Sequence, residues 1–164
     1  MNSLKCLYKK LEDYFGKQNW WPAEDEFEII IGAILTQNVN WKNVETAIEN
    51  MKEEEILSPE KIIITNEEKI QKLIKPTGFY KQKTKRIRRI SNVITQEGGI
   101  SQFLNQKNFR KRLLSIKGIG PETADSIILY AANKPRFVID AYTKRILDRV
   151  FDIKGNYKEL QAYF

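Results

Sequence analysis

Leu113-Leu114-Ser115-Ile116-Lys117-Gly118-Ile119-Gly120-Pro121-Glu122-Thr123-Ala124 lies between two runs of apolar residues at helical spacing, and its centre breaks the helix. Two glycines flanking an apolar residue permit a tight hairpin whose backbone amides can approach an anion, with Ile119 anchored in the core. Pro121 suits the first position of the next helix, where its missing N–H costs nothing, and the helix N-terminus adds a dipole that favours negative charge. The segment predicts a helix-hairpin-helix. Taken alone, it reads first as an ordinary glycine-rich turn between helices.

Working outward, apolar residues keep helical spacing almost throughout. Leu4, Leu7, Tyr8, Leu11, Tyr14 and Phe15 predict an amphipathic helix stopped near Gly16. Asp25 with Glu28 reads as a capping box that opens a second helix through about Gln37, whose near-continuous apolar character makes it central and buried. Further helices are predicted around 41–52, 67–74, 80–96, 101–105, 108–115, 122–132 and 141–151, punctuated by Pro59, Pro76, Gly98-Gly99 and Pro135. Period-two alternation is scarce, and only Arg136 to Ile139 looks extended. The expected class is therefore all-α.

Composition limits the chemistry. The 164 residues contain no histidine and a single cysteine, Cys6. This removes the commonest general base and imidazole metal sites, and it excludes an internal disulfide or a four-cysteine iron–sulfur cluster. Carboxylates, lysines, tyrosines and backbone remain. The lone thiol fits a reducing cytoplasm. The N-terminus lacks the regions of a signal peptide, and the longest apolar stretch, Ile29 to Leu35, is too short to span a bilayer, so no membrane association is expected.

Net charge is +7 and unevenly spread: residues 1–80 hold 10 Lys+Arg against 14 Asp+Glu, and residues 81–164 hold 18 against 7. The second half suits a polyanion partner, or simply a solvated basic face. In the run Lys81 to Ile90, Ile87 and Ile90 share one helical face with Val93 and Ile94, with cations around it. Lys81 and Lys83 are the cations singled out for phosphate contacts.

Asp140 follows the second hairpin helix after Pro135-Arg136-Phe137-Val138-Ile139, and by itself it reads as an N-cap. The hairpin, the intervening helix and Val138-Ile139-Asp140-Ala141-Tyr142-Thr143-Lys144-Arg145 together resemble the signature of the endonuclease III-like helix-hairpin-helix DNA glycosylases. Gly78-Phe79-Tyr80, Lys83 and Ile34-Leu35-Thr36-Gln37-Asn38 match other stations of that pattern in the same order. The resemblance covers nearly the whole chain.

It implies a two-lobed fold. Residues 24–135 would form the six-helix central domain, and 1–23 with 136–164 a partial second domain lacking its C-terminal helices. The implied activity is base excision on double-stranded DNA containing a damaged base, by a monomer. Asp140 becomes the catalytic carboxylate, stabilising the developing oxocarbenium ion and orienting the attacking water. Lys117, Gly118, Ile119, Gly120 and Thr123 become the phosphate-binding hairpin. The carbonyls of Leu114, Ile116 and Ile119 become ligands for a monovalent cation. Gln37 and its neighbour Asn38 face the DNA, Gln37 filling the gap left by base flipping, or else merely ending a buried helix with a polar side chain.

One departure bears on reaction type. Bifunctional members carry a nucleophilic lysine two residues after the second hairpin glycine, where this chain has Glu122. A carboxylate forms no Schiff base, so a monofunctional hydrolase is expected, and Glu122 also fits as a dipole-complementing residue in the first helical turn.

Base choice rests on Asn19-Trp20-Trp21-Pro22 and on Trp41. With Thr36-Gln37-Asn38 the set resembles the 3-methyladenine branch of this superfamily, and Trp21, Trp41, Trp20 and Pro22 would form the base pocket. Indole faces stack on flat rings and attract cations, which suits a positively charged alkylated purine. By composition alone, the same rings would rather pack a seam between two helical halves. A non-catalytic helix-hairpin-helix DNA-binding module, or a glycosylase for another base, is the competing reading. The chain stops soon after the Asp140 helix, so a truncated second lobe with exposed apolar surface is also expected.

Overall fold

The computed structural model of the chain describes residues 2–18 and 20–164. Asn19, which opens the tryptophan segment, lies outside them. The described residues form eleven α-helices and no strand. In chain order these are α1 (Asn2–Phe15), α2 (Glu26–Leu35), α3 (Trp41–Glu53), α4 (Pro59–Ile64), α5 (Glu67–Leu73), α6 (Tyr80–Gln96), α7 (Ile100–Leu104), α8 (Phe109–Ser115), α9 (Pro121–Ser126), α10 (Ala141–Phe151) and α11 (Tyr157–Gln161). A 3₁₀ turn, Lys75–Thr77, precedes α6. A π-helical turn, Ile127–Ala131, continues α9.

The apolar α2 sits at the centre, with Ile30, Ile31, Ile34 and Leu35 fully buried. Around it pack Val44, Ala47 and Met51 of α3, Ile87, Ile90 and Ile94 of α6, and Ile127 and Ala131 of the π turn. Each fully buried Val, Ile, Leu or Met side chain among these contributes about 1.5–3 kcal/mol by leaving water. A second, smaller core joins Ile139, Leu147 and Leu160, with Leu4, Phe151, Ile153 and Tyr157 against it.

The helix boundaries follow local chemistry. Gly16, at φ 69°, closes α1 with its N–H on the Glu12 carbonyl at 2.8 Å. Asp25 caps α2 by accepting from the Glu28 N–H at 2.8 Å. The expected capping box is only half formed, however. The Glu28 carboxylate takes the Glu24 N–H at 3.0 Å and an ion pair with Lys52 at 2.9 Å. The carboxylate thus takes the N–H one residue before the cap together with the charge of Lys52 on α3.

Two helices escaped the sequence reading. Pro59 opens α4 as its first residue, capped by Ser58, rather than breaking the chain. In α11, Asn156 and Glu159 make the reciprocal capping box that Asp25 and Glu28 do not. The apolar stripes of α1 and α10 are only partly covered. Tyr8, Tyr14 and Phe15 of α1 and Tyr142, Ile146 and Val150 of α10 are exposed, and Leu147 alone of α10 is fully buried.

Candidate active site

The hairpin forms between α8 and α9. Gly118 takes φ +100°, and a Cβ there would lie 2.7 Å from the Arg86 side chain. Glycine is therefore required twice over, by conformation and by the close approach of α6. Ile119 is buried and its N–H donates to the Ile116 carbonyl at 3.0 Å, closing the turn. That carbonyl keeps a second lone pair, while Leu114 sits at the surface of α8.

Gly120 differs from Gly118. Its φ is −92°, and a Cβ would meet nothing within 4 Å. Pro121 is the first residue of α9, and no side chain caps that helix, so its first-turn amides stay open to an anion. Lys117 is exposed beside them, with its carbonyl taken by Arg89 at 2.6 Å.

Gln37 lies against this hairpin. Its Nε2 donates to Thr123 Oγ1 at 2.8 Å and to the Gly118 carbonyl at 3.4 Å, and its Oε1 accepts from Arg86. Thr123 is accordingly buried, and its hydroxyl turns inward rather than toward a phosphate. Asn38 is exposed and left-handed, at φ 55°. Gln37 thus ties the end of α2 to the hairpin, and Asn38 stands free next to it.

Of the two lysines singled out in α6, one is corrected. Lys83 is 1% exposed, and its ammonium donates to the carbonyls of Leu35 at 2.8 Å and Thr77 at 2.7 Å. Burial, with the charge of Arg86, pulls it down to about 8. Its cationic head holds the end of α2 and the turn before α6, so it has no reach toward DNA. Lys81 is exposed, beside a hollow it shares with Glu67 and Glu68.

Asp140 caps α10: its Oδ1 accepts from the Thr143 N–H at 2.7 Å, leaving the other carboxylate oxygen for a reactant. Two groups of the hairpin helix feel its charge. Desolvation first, then Asp140, raises the carboxyl of Glu122, with Lys144 opposing. The same two causes in the same order raise the Tyr130 phenol. Asp140, Glu122 and Tyr130 thus belong to one electrostatic neighbourhood.

Tyr130 carries that neighbourhood to the tryptophans. Its ring lies 4.9 Å from Trp21, tilted by 41°, and Trp21 meets Trp41 edge-on at 5.3 Å. Trp20 lies 5.7 Å from Trp41 and is 56% exposed. Trp41 Nε1 donates to Glu45 at 2.7 Å, which fixes its ring. Behind Trp21, a Cβ on Gly32 would come within 3.1 Å of the indole, so α2 leaves room for this ring. A cavity of about 210 Å³ runs between Trp21, Pro22 and Trp41 and the Glu45 and Glu49 side of α3.

Tyr130 had been missed, because a tyrosine inside the apolar run 127–131 reads as core. The π turn places it: the Ala132 N–H reaches back five residues to the Ile127 carbonyl at 3.0 Å, and this wider turn holds the ring where it meets Trp21. Arg86 was also missed, since nothing in a run of six cations distinguishes it.

An all-α, helix-hairpin-helix fold with a carboxylate-capped helix after the hairpin defines a class of DNA repair proteins. The sequence profile of the HhH-GPD superfamily of base excision DNA repair proteins matches residues 31–164. The chain belongs to that superfamily, the helix-hairpin-helix DNA glycosylases of base excision repair. A candidate DNA repair glycosylase of Methanocaldococcus jannaschii is 47% identical over 165 residues, covering 96% of this chain and 75% of the relative. Endonuclease III of Thermotoga maritima is 28% identical, covering 79% of this chain and 59% of the relative.

Among solved structures, the H. pylori 3-methyladenine DNA glycosylase bound to 1,N6-ethenoadenine superposes with a TM-score of 0.86 at 32% identity. The match covers 99% of this chain and 79% of that one. An endonuclease III–DNA complex, at 17% identity and a TM-score of 0.83, shares the fold, with 98% and 74% covered. Of the described residues, no helix is long and apolar enough to cross a membrane.

Proposed function

We propose that this protein is a monofunctional DNA N-glycosylase that hydrolyses the glycosidic bond of a flipped alkylated purine, such as 3-methyladenine. The observation that carries the reading is the aromatic contact from Trp41 through Trp21 to Tyr130, which ends in the electrostatic reach of Asp140. A flat cationic base held among indole faces is stabilised by stacking and by cation–π attraction. It is already a good leaving group, so a chain without histidine needs only a carboxylate to stabilise the oxocarbenium ion and align water. The similarity to the H. pylori enzyme supports the same substrate class.

The open amides of Gly118, Gly120 and the first turn of α9 bind a phosphate of double-stranded DNA, with Lys117 adding charge. Free space at Gly120 supports this role, since nothing among the described residues calls for glycine there. The carbonyls of Leu114, Ile116 and Ile119 are the candidate ligands of a monovalent cation. Asn38 and Lys81 meet the duplex, and Gln37 reaches the gap only by leaving Thr123 and Arg86. Glu122 cannot form a Schiff base, so the product is an abasic site.

Residues 24–135 make the central lobe, and 1–23 with 136–164 the second lobe. The two separate apolar cores support that division. The protein acts as a monomer in a reducing compartment, which the single thiol fits. The test is release of free 3-methyladenine from methylated DNA by the wild-type chain and by Asp140→Asn. An asparagine still caps α10, so the variant should fold, yet release base roughly 10²–10⁴-fold more slowly. No release by the wild type, or equal release by both, removes the reading.

A further inference from the structure

Asp125 of α9 is completely buried and is used by nothing in the chemistry above. Four donors converge on it: Arg110 of α8 through Nε at 2.7 Å and through its terminal nitrogen at 3.1 Å, Arg136 at 3.0 Å, and the Tyr157 hydroxyl at 2.7 Å. Burial works against its charge, but the bonds from Arg110, Tyr157 and Arg136 outweigh it and hold the carboxyl below its ordinary value. A buried anion persists only where such partners are in place.

The donors come from both sides of the site. Arg110 belongs to the first hairpin helix, Arg136 to the segment leading to Asp140, and Tyr157 opens α11. Burial and the bond to Asp125 push the Tyr157 phenol up, and the backbone of Ile139, one residue before Asp140, offsets part of that rise. Further bonds hold the same segment. Gln161 of α11 donates to the Phe137 carbonyl at 2.7 Å, Phe137 stacks on Phe164 at 3.6 Å, and Ile139 is buried with Leu160.

We infer that Asp125 is a positioning residue. Through Arg136 and Tyr157 it clamps the 136–140 segment, and with it Asp140, to the hairpin helix that carries Glu122 and Tyr130. This rests on the reading of Asp140 as the catalytic carboxylate. The clamp makes the distance between phosphate-binding hairpin and reacting carboxylate a property of one buried hydrogen-bond cluster rather than of a free eight-residue connection.

Tyr157→Phe is the variant of choice, because the ring keeps its packing against Ile139 and Leu160 and only the hydroxyl is lost. Single-turnover release of 3-methyladenine is expected to slow roughly tenfold to hundredfold, the effect of a small misplacement of a reacting group. Affinity for DNA containing an abasic-site analogue should stay unchanged. Amide hydrogen exchange should quicken at 137–140 but not in α6. Asp125→Asn combined with Tyr157→Phe should slow release no more than the worse single variant, since both break the same cluster.

Exchange that is unchanged at 137–140, or base release that is unchanged in a folded variant, overturns the clamp. An equal loss of DNA affinity and rate overturns it too, by showing general damage. A wild-type chain that releases no base, while exchange at 137–140 still responds, removes the glycosylase reading and the catalytic half of this inference with it.

Discussion

The side-chain amide of Gln37 donates to the hydroxyl of Thr123 at 2.8 Å, joining the end of the buried α2 to the hairpin helix across 86 positions of chain. The opposite face of that amide takes a bond from Arg86, whose aliphatic stem lies where a Cβ on Gly118 would fall. With Arg89 on the Lys117 carbonyl, the hairpin is therefore held by three side chains that belong to neither of its own helices.

Thr123→Val tests this tie. The substitution keeps the shape but removes the acceptor, leaving Gln37 Nε2 with the 3.4 Å contact to Gly118. A stability loss of about 1 kcal/mol is expected in urea unfolding, with the slope unchanged. A neutral result shows that water replaces the hydroxyl at no cost.

The two hairpin glycines should separate cleanly. Gly118→Ala forces a left-handed alanine into Arg86 and is expected to cost about 1–3 kcal/mol. Gly120→Ala meets open space at an ordinary φ, so its stability should change by less than about 1 kcal/mol. DNA affinity should nevertheless fall, because the new methyl stands where a phosphate approaches. Fluorescence anisotropy with labelled duplex reads the difference, and equal affinity for Gly120→Ala and wild type removes the amide clamp.

Glu122 supplies a pH signature. Its carboxyl is raised in the folded protein, so folding favours the protonated form. The associated stability is present below the ordinary glutamate range and is lost as pH rises through the raised folded value. Glu122→Gln should therefore raise the melting temperature at neutral pH and give no gain in acid. The same residue predicts no covalent adduct when abasic DNA and borohydride are added to the wild-type protein; an adduct would reinstate a lyase.

The tryptophans divide by burial. Trp21 is packed between Gly32, Trp41 and Tyr130, so Trp21→Ala should cost about 3–5 kcal/mol and confound any assay of activity. Trp20 is 56% exposed, and Trp20→Ala should leave the melting temperature nearly unchanged while slowing base release. Unaltered release by that variant removes Trp20 from the base pocket.

Much of this architecture was legible in local chemistry. The apolar run of α2, the cap at Asp140, Pro121 at the first turn of α9 and the αL glycine after α1 are decisions made within a few residues, by periodicity and by unsatisfied backbone groups. The errors have a common cause as well. Glu28 shares its carboxylate with Lys52, and Lys83 turned inward to the Leu35 carbonyl, because partners remote in sequence offered bonds that no local window contains.

The order and spacing of residues alone determined the all-α class, the hairpin, the position of the carboxylate after it and the absence of any histidine or thiol-cluster chemistry. Tertiary structure decided which of the tempting side chains are free to act. It spent Thr123 and Lys83 on the interior, tied Gln37 to the hairpin, set Tyr130 against Trp21 and within the field of Asp140, and gathered Arg110, Arg136 and Tyr157 on Asp125. Spacing along a chain specifies which face of a helix a residue occupies, but only packing between helices determines whether that face meets water, a carbonyl or another charge.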